Sequence, residues 1–122
     1  MEIWINPDCS KCRAALELLD DAGTGYTVRR YLDEPPSARE LTGVLDRLGL
    51  QPWEAARLHE PIAAELGLDD WPRLAAARDR WIAAMVAHPI LIQRPIITAD
   101  DGQTVIGRTG DAVRSVLPPD GP

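Results

Sequence analysis

Glu2-Ile3-Trp4-Ile5-Asn6-Pro7-Asp8-Cys9-Ser10-Lys11-Cys12-Arg13 passes from a short strand-like run into a helix start, and it holds both cysteines and the single lysine of the chain. Beyond it the apolar residues fall at Ala15, Leu16 and Leu19, which is helical spacing. The cysteines therefore stand where a strand turns into a helix. A helix N-terminus leaves backbone N–H groups unpaired and carries partial positive charge. Such a place favours a thiolate and attracts an anion. Cys12 opens the series Cys12, Ala15, Leu16, Leu19 and so belongs to the core-facing side of the helix. Cys9 precedes the first turn, where a side chain meets solvent. This reading makes Cys9 the attacking thiol and Cys12 its partner.

Outward from that stretch, Asp21 to Gly25 is a break, and Tyr26 to Tyr31 alternates as a strand does, ending near Asp33-Glu34-Pro35-Pro36. Strand, helix and strand with a short return form a βαβ unit, which favours parallel pairing. Ser37-Ala38-Arg39-Glu40 has the capping-box form and starts a helix carrying Leu41, Val44, Leu45 and Leu48, closed by Gly49. Residues 51–68 are irregular, with a short helix from Pro61 to Leu66. Asp69-Asp70-Trp71-Pro72 is expected to cap a longer helix with Leu74, Trp81, Ile82 and Met85 as its packing stripe, closing at His88-Pro89. Ile90 to Thr98 and Thr104 to Ile106 read as a β-hairpin turning at Asp100-Asp101-Gly102, and Thr109 caps a last helix through Val116. The order β-α-β, helical block, β-β-α predicts an α/β thioredoxin-like fold. Residues 1–117 are expected to form one domain with a helical insertion at about 37–88, and 118–122 a loose tail.

Composition narrows the function. With 122 residues the chain can bury a core without disulfide staples. Its 13 basic and 19 acidic residues give a formal charge of −6, which argues against broad nucleic-acid binding while leaving room for a small basic pocket. No apolar run has the length of a membrane span and the N-terminus lacks a signal-peptide pattern, so a cytoplasmic location is expected. In that compartment two cysteines three apart point to redox chemistry or to metal. Half of a zinc site is the metal reading. His59 and His88 would have to complete it, yet they stand far apart beside separate helices.

The segments Asn6-Pro7-x-Cys9, Glu60-Pro61-x5-Gly67-Leu68 and His88-Pro89-Ile90-Leu91-Ile92-x-Arg94-Pro95-Ile96 resemble the glutaredoxin-coupled arsenate reductases and their Spx-type relatives, the ArsC/Spx family. The resemblance covers nearly the whole chain, with Arg94-Pro95 its most specific part, and it implies a cis peptide before Pro95. It further implies a thiolate at Cys9 attacking arsenate while Arg57, Arg94 and Arg108 hold the oxyanion. Planar guanidinium forks suit such an anion, and preorganised cations favour the charge that builds up as sulfur attacks. The helix dipole supplies roughly 0.3–1 kcal/mol, and one pKa unit corresponds to about 1.4 kcal/mol, so Lys11, Arg13 or Arg94 must add to it. Asp8 is a candidate helix cap.

The chain departs from the reductase pattern in having a second cysteine, and Cys9-Ser10-Lys11-Cys12 resembles the Spx-type branch. Cys12 is then expected to resolve the first intermediate as a disulfide, the alternative being that an external thiol attacks it. An external thiol reductant (glutaredoxin with glutathione, thioredoxin or another low-molecular-weight thiol) restores it. No bound metal or organic cofactor is implied. The rival readings are a redox-sensing regulator that binds RNA polymerase, as the Spx-type proteins do, and a general dithiol oxidoreductase. An oxyanion set of three arginines favours the reductase, because a protein disulfide substrate needs no oxyanion site.

Overall fold

The computed structural model describes residues 1–118. In chain order the elements are β1 (Glu2–Ile5), α1 (Ser10–Asp21), β2 (Thr27–Arg30), α2 (Ala38–Leu48), α3 (Pro61–Leu66), α4 (Arg78–Ala87), β3 (Ile96–Thr98), β4 (Thr104–Ile106) and α5 (Gly110–Arg114). Short 3-10 turns lie between α2 and β3. The chain divides into two compact units, one made of Met1–Glu34 with the chain from Arg94 onward, the other of Pro35–Gln93. The helical stretch expected at 37–88 lies within the second unit. Of the tail expected at 118–122, all but Pro118 falls outside the described residues. Among the described residues no helix is long and apolar enough to cross a membrane.

The first unit has the elements of the expected thioredoxin-like fold. Its sheet runs β2-β1-β3-β4, with β1 parallel to β2 and antiparallel to β3, and β4 antiparallel to β3. Side chains alternate across a strand. Ile3 and Ile5 accordingly enter one core with Cys12, Ala15 and Leu19 of α1, Ile97 of β3, and Val113 and Val116 of the α5 region. Trp4 has the opposite parity, and the Arg29 guanidinium lies 5.3 Å from its ring centre. Gly107 lies between β4 and α5. A Cβ there would stand 2.8 Å from Ile97 Cδ1 and 3.2 Å from Val113 Cγ2, so glycine lets α5 follow the sheet closely.

The second unit is helical. Ser37 closes a full capping box: its hydroxyl accepts from the Glu40 N–H and the Glu40 carboxylate accepts from the Ser37 N–H, both at 3.0 Å. Gly49 ends α2 in the left-handed region at φ 70°, and Leu41, Val44 and Leu45 are buried as the helical spacing predicts. Trp81 is fully buried, with Trp53 and Trp71 edge-on to it at 6.1 and 5.5 Å.

Two expected elements are shorter than their sequence pattern. The helix expected after Asp69-Asp70-Trp71-Pro72 begins only at Arg78. Pro72 disfavours helical backbone at the residue before it, and Trp71 is extended there at ψ 140°. Leu74 is extended as well, and at 64% exposure it lies outside the packing stripe. Trp81 Nε1 donates to the Pro72 carbonyl at 2.9 Å, which ties this non-helical stretch to α4. The strand expected over 90–98 is reduced to Ile96–Thr98. Pro89 opens a 3-10 turn, and the chain after it pairs elsewhere: the Arg57 N–H donates to Leu91 and the Gln93 N–H to Ala55, forming an isolated bridge between Ala56 and Ile92.

Replacing Ser37 by alanine removes the acceptor for one orphan N–H and the partner of Glu40. The expected outcome is a loss of about 1 kcal/mol in urea unfolding, with native circular dichroism retained.

Candidate active site

Three strand ends meet at one edge of the first unit's sheet. The parallel register ends with Ile5 opposite Arg30, so Asn6 and Tyr31 leave their strands side by side. In the antiparallel register Trp4 faces Ile96, which brings Pro95 and Arg94 alongside Ile5 and Asn6. The Arg94-Pro95 peptide is cis. It is also tied to the next strand, because the Gly107 N–H donates to the Pro95 carbonyl at 2.9 Å and Arg108 Nη1 donates to the Arg94 carbonyl at 2.8 Å.

Asn6 shapes the loop that follows. Its side-chain oxygen accepts from the Asp8 N–H and its carbonyl from the Cys9 N–H, each at 3.0 Å. Such an Asx turn imposes a tight bend on the backbone. Cys9 itself is the N-cap residue of α1, in extended conformation and with no side-chain cap. The capping role expected of Asp8 is thus not the one it has: its backbone lies within the turn. No side chain caps the first-turn N–H groups in full hydrogen-bond geometry, yet their partial charge favours a thiolate beside them. Burial alone would raise the Cys9 pKa. Hydrogen bonds from the Cys12 N–H, the Cys12 thiol, Arg94 and the Lys11 N–H outweigh it and bring the pKa from 9.0 to about 7. Cys12 is fully buried and moves the other way, to about 12. Burial is the largest cause, a backbone bond at Asn6 opposes it, and the hydrogen bond and charge of Cys9 add to it.

Arg94 is 7% exposed. Burial works against its charge, but the phenol of Tyr31 and the sulfur of Cys9 together hold the guanidinium above its ordinary range. The structure therefore brings Cys9, Cys12 and Arg94 together. It adds Asn6 and Tyr31, to which sequence reasoning assigned no role. A tyrosine at a strand end reads as a core aromatic, and Tyr31 is indeed fully buried. Only the register between β1 and β2, carried one residue past their ends, places it beside the loop.

The remaining expected residues stand as follows. Lys11 acts on Cys9 through its backbone N–H. The Arg13 guanidinium donates to the Pro7 carbonyl at 3.2 Å and so stiffens the loop. Arg108 braces the Arg94 backbone, and with Lys11 it lines a cavity of about 240 Å³ beside α1 and α5. Arg57 belongs to the second unit. Its Nε donates to Glu60 at 3.0 Å and its Nη1 to Gln93 at 2.7 Å, and its Nη2 lies 2.9 Å from His59 Nε2. Among the described residues, no three His, Cys, Asp or Glu side chains are grouped as a metal ion would require.

The chain as a whole has counterparts among known proteins. The model of the ArsC family matches residues 4–116. A Streptomyces viridochromogenes protein, described as an uncharacterized protein in the glnII region, is 62% identical over 117 residues, covering 96% of this chain and 98% of its own length. An arsenate reductase of Neisseria meningitidis is 39% identical over 118 residues, with coverage of 96% and 97%. The solved structure of an arsenate reductase from Vibrio cholerae aligns with a TM-score of 0.85 at 38% identity, covering 96% of this chain and 98% of that one. A family match over nearly the whole length, joined to an acidic thiol held by an arginine, leads to one conclusion: this chain belongs to the ArsC family.

Proposed function

We propose that this protein reduces arsenate to arsenite, with Cys9 as nucleophile and Cys12 as resolving thiol. The observation that carries the reading is the hydrogen bond between Arg94 and a Cys9 sulfur whose pKa is lowered to about 7. A thiolate beside a fixed guanidinium is what attack on an anionic electrophile requires. The sulfur must be ionised near neutrality, and a nearby cation must offset the repulsion between two anions. The arsenate reductases among the relatives support arsenate as the electrophile.

In this account the Cys9 thiolate bonds to arsenic(V), and one arsenate oxygen leaves as water after taking up protons. Cys12 then attacks the Cys9 sulfur. The S–S bond forms, the electron pair of the S–As bond stays on arsenic, and arsenite departs. Two thiols have supplied the two electrons. Timing follows from the causes of the Cys12 shift. While Cys9 is a thiolate, its charge and its hydrogen bond hold the Cys12 proton in place. Bonding Cys9 to arsenic removes both effects and leaves burial as the remaining obstacle. An external thiol, supplied by a glutaredoxin with glutathione, a thioredoxin or another low-molecular-weight thiol, then opens the disulfide by exchange. Arg94 and Arg108 act as one assembly, the second fixing the backbone of the first. An oxyanion role for Arg57 rests on family resemblance, and its bonds to Glu60 and Gln93 would have to yield to the anion.

A single turnover tests the reading. Fully reduced, anaerobic protein mixed with arsenate is expected to lose two thiols per chain and to release arsenite, while phosphate leaves both thiols intact. Thiols that ignore arsenate yet close with diamide would remove the enzyme reading and favour a redox switch.

The arginines separate by variant. Arg94→Ala is expected to lower kcat/KM for arsenate about 100-fold or more, and Arg94→Lys to recover only part, because a point charge does not replace a fork. Arg57→Ala is expected to cost less than Arg94→Ala in the same steady-state assay.

A further inference from the structure

Tyr31 is one of two tyrosines in the chain, it is fully buried, and the reaction proposed above gives it no task. Its position is set by backbone geometry. The residue after Arg30 in the β1–β2 register stands beside Asn6, at the mouth of the cysteine loop, and the antiparallel register brings Arg94 to the same place from the other side. The turn after β2, closed by the Asp33 and Glu34 N–H groups on the Arg30 carbonyl, keeps Tyr31 from moving with the chain that follows. A buried hydroxyl needs a partner, and here the guanidinium of Arg94 provides one. That guanidinium also meets the Cys9 sulfur. A guanidinium is planar and rigid, so fixing one of its N–H groups fixes the direction of the others.

We propose that Tyr31 is a positioning residue: its phenol oxygen accepts a hydrogen bond from Arg94 and thereby aims the guanidinium at the Cys9 sulfur. The other charged and titratable groups around the sulfur are accounted for separately. Cys12 and the Lys11 backbone contact Cys9 directly, Arg13 bonds to Pro7, and the Asp8 backbone is held by Asn6. Tyr31 thus acts through Arg94 and not on the sulfur. The inference rests on Cys9 being the reactive thiol, and it does not depend on arsenate being the substrate.

The test uses thiol reactivity, so a failure to reduce arsenate leaves it intact. Tyr31→Phe keeps the ring and removes the oxygen. At pH 6, where the alkylation rate follows the thiolate fraction, iodoacetamide is expected to react with Cys9 about three- to tenfold more slowly than in the parent protein. In an Arg94→Ala background the same substitution is expected to change nothing, because the two act as one unit. An unchanged rate in the parent, or the same slowing in both backgrounds, overturns the proposal. Nuclear magnetic resonance of protein labelled at tyrosine Cζ gives a second readout on the native side chain. The Tyr31 signal is expected to shift with pH as Cys9 ionises near 7, and to lose that step in Cys9→Ser. A signal flat through that range overturns it too.

Discussion

The contact on which the site depends is the one between the Arg94 guanidinium and the Cys9 sulfur. Two constraints make it possible. The sheet order places β1 between β2 and β3, so the cysteine loop leaves the middle of the sheet with Tyr31 on one flank and Arg94-Pro95 on the other. The backbone of Arg94 is then pinned from β4 by Arg108 and Gly107, which fixes the base of the side chain before any ligand arrives. A guanidinium held in this way needs little reorganisation when charge develops beside it.

The two thiols share a helix start and differ in almost everything else. Cys9 sits before the first turn, where the N–H groups of Lys11 and Cys12 reach its sulfur. Cys12 is one turn further in, packed with Ala15, Leu19, Ile97 and Val113. The same helix end therefore favours charge on one sulfur and opposes it on the other. In the proposed reaction this asymmetry sets the order: Cys9 is ready at neutral pH, and Cys12 follows when Cys9 has lost its charge.

Periodicity carried most of the fold. Period-2 alternation in Ile3 to Ile5 and the spacing of Cys12, Ala15 and Leu19 place one core without knowledge of the rest of the chain, and the Ser37 box and Gly49 mark α2 at both ends. Where proline interrupts a pattern, the periodic stretch is longer than the element it suggests. Leu74 fits a helical stripe by spacing, yet the backbone is extended at Trp71 before Pro72 and again at Leu74, and Ile90 to Arg94 look like a strand although Leu91 and Gln93 pair with Arg57 and Ala55. In the site, the cysteines were legible from their spacing at a helix start, and Arg94 from the family resemblance of the Arg94-Pro95 segment. Tyr31 was not, since its neighbour Arg94 is far away in sequence, whereas the Asx turn of Asn6 onto Asp8 and Cys9 is a local signal that the motif Asn6-Pro7-x-Cys9 already held. The bond from Arg57 to Gln93 was hidden by distance, the two being 36 residues apart.

One thiol of this pair is poised as a thiolate and the other is not. Protein labelled with carbon-13 at cysteine Cβ reports both in one pH titration, since the shift follows ionisation of the attached sulfur. The account predicts an inflection near 7 for Cys9, with Cys12 silent until far into the alkaline range, toward about 12. Two signals titrating together near the ordinary 9.0, or Cys12 ionising first, would contradict it.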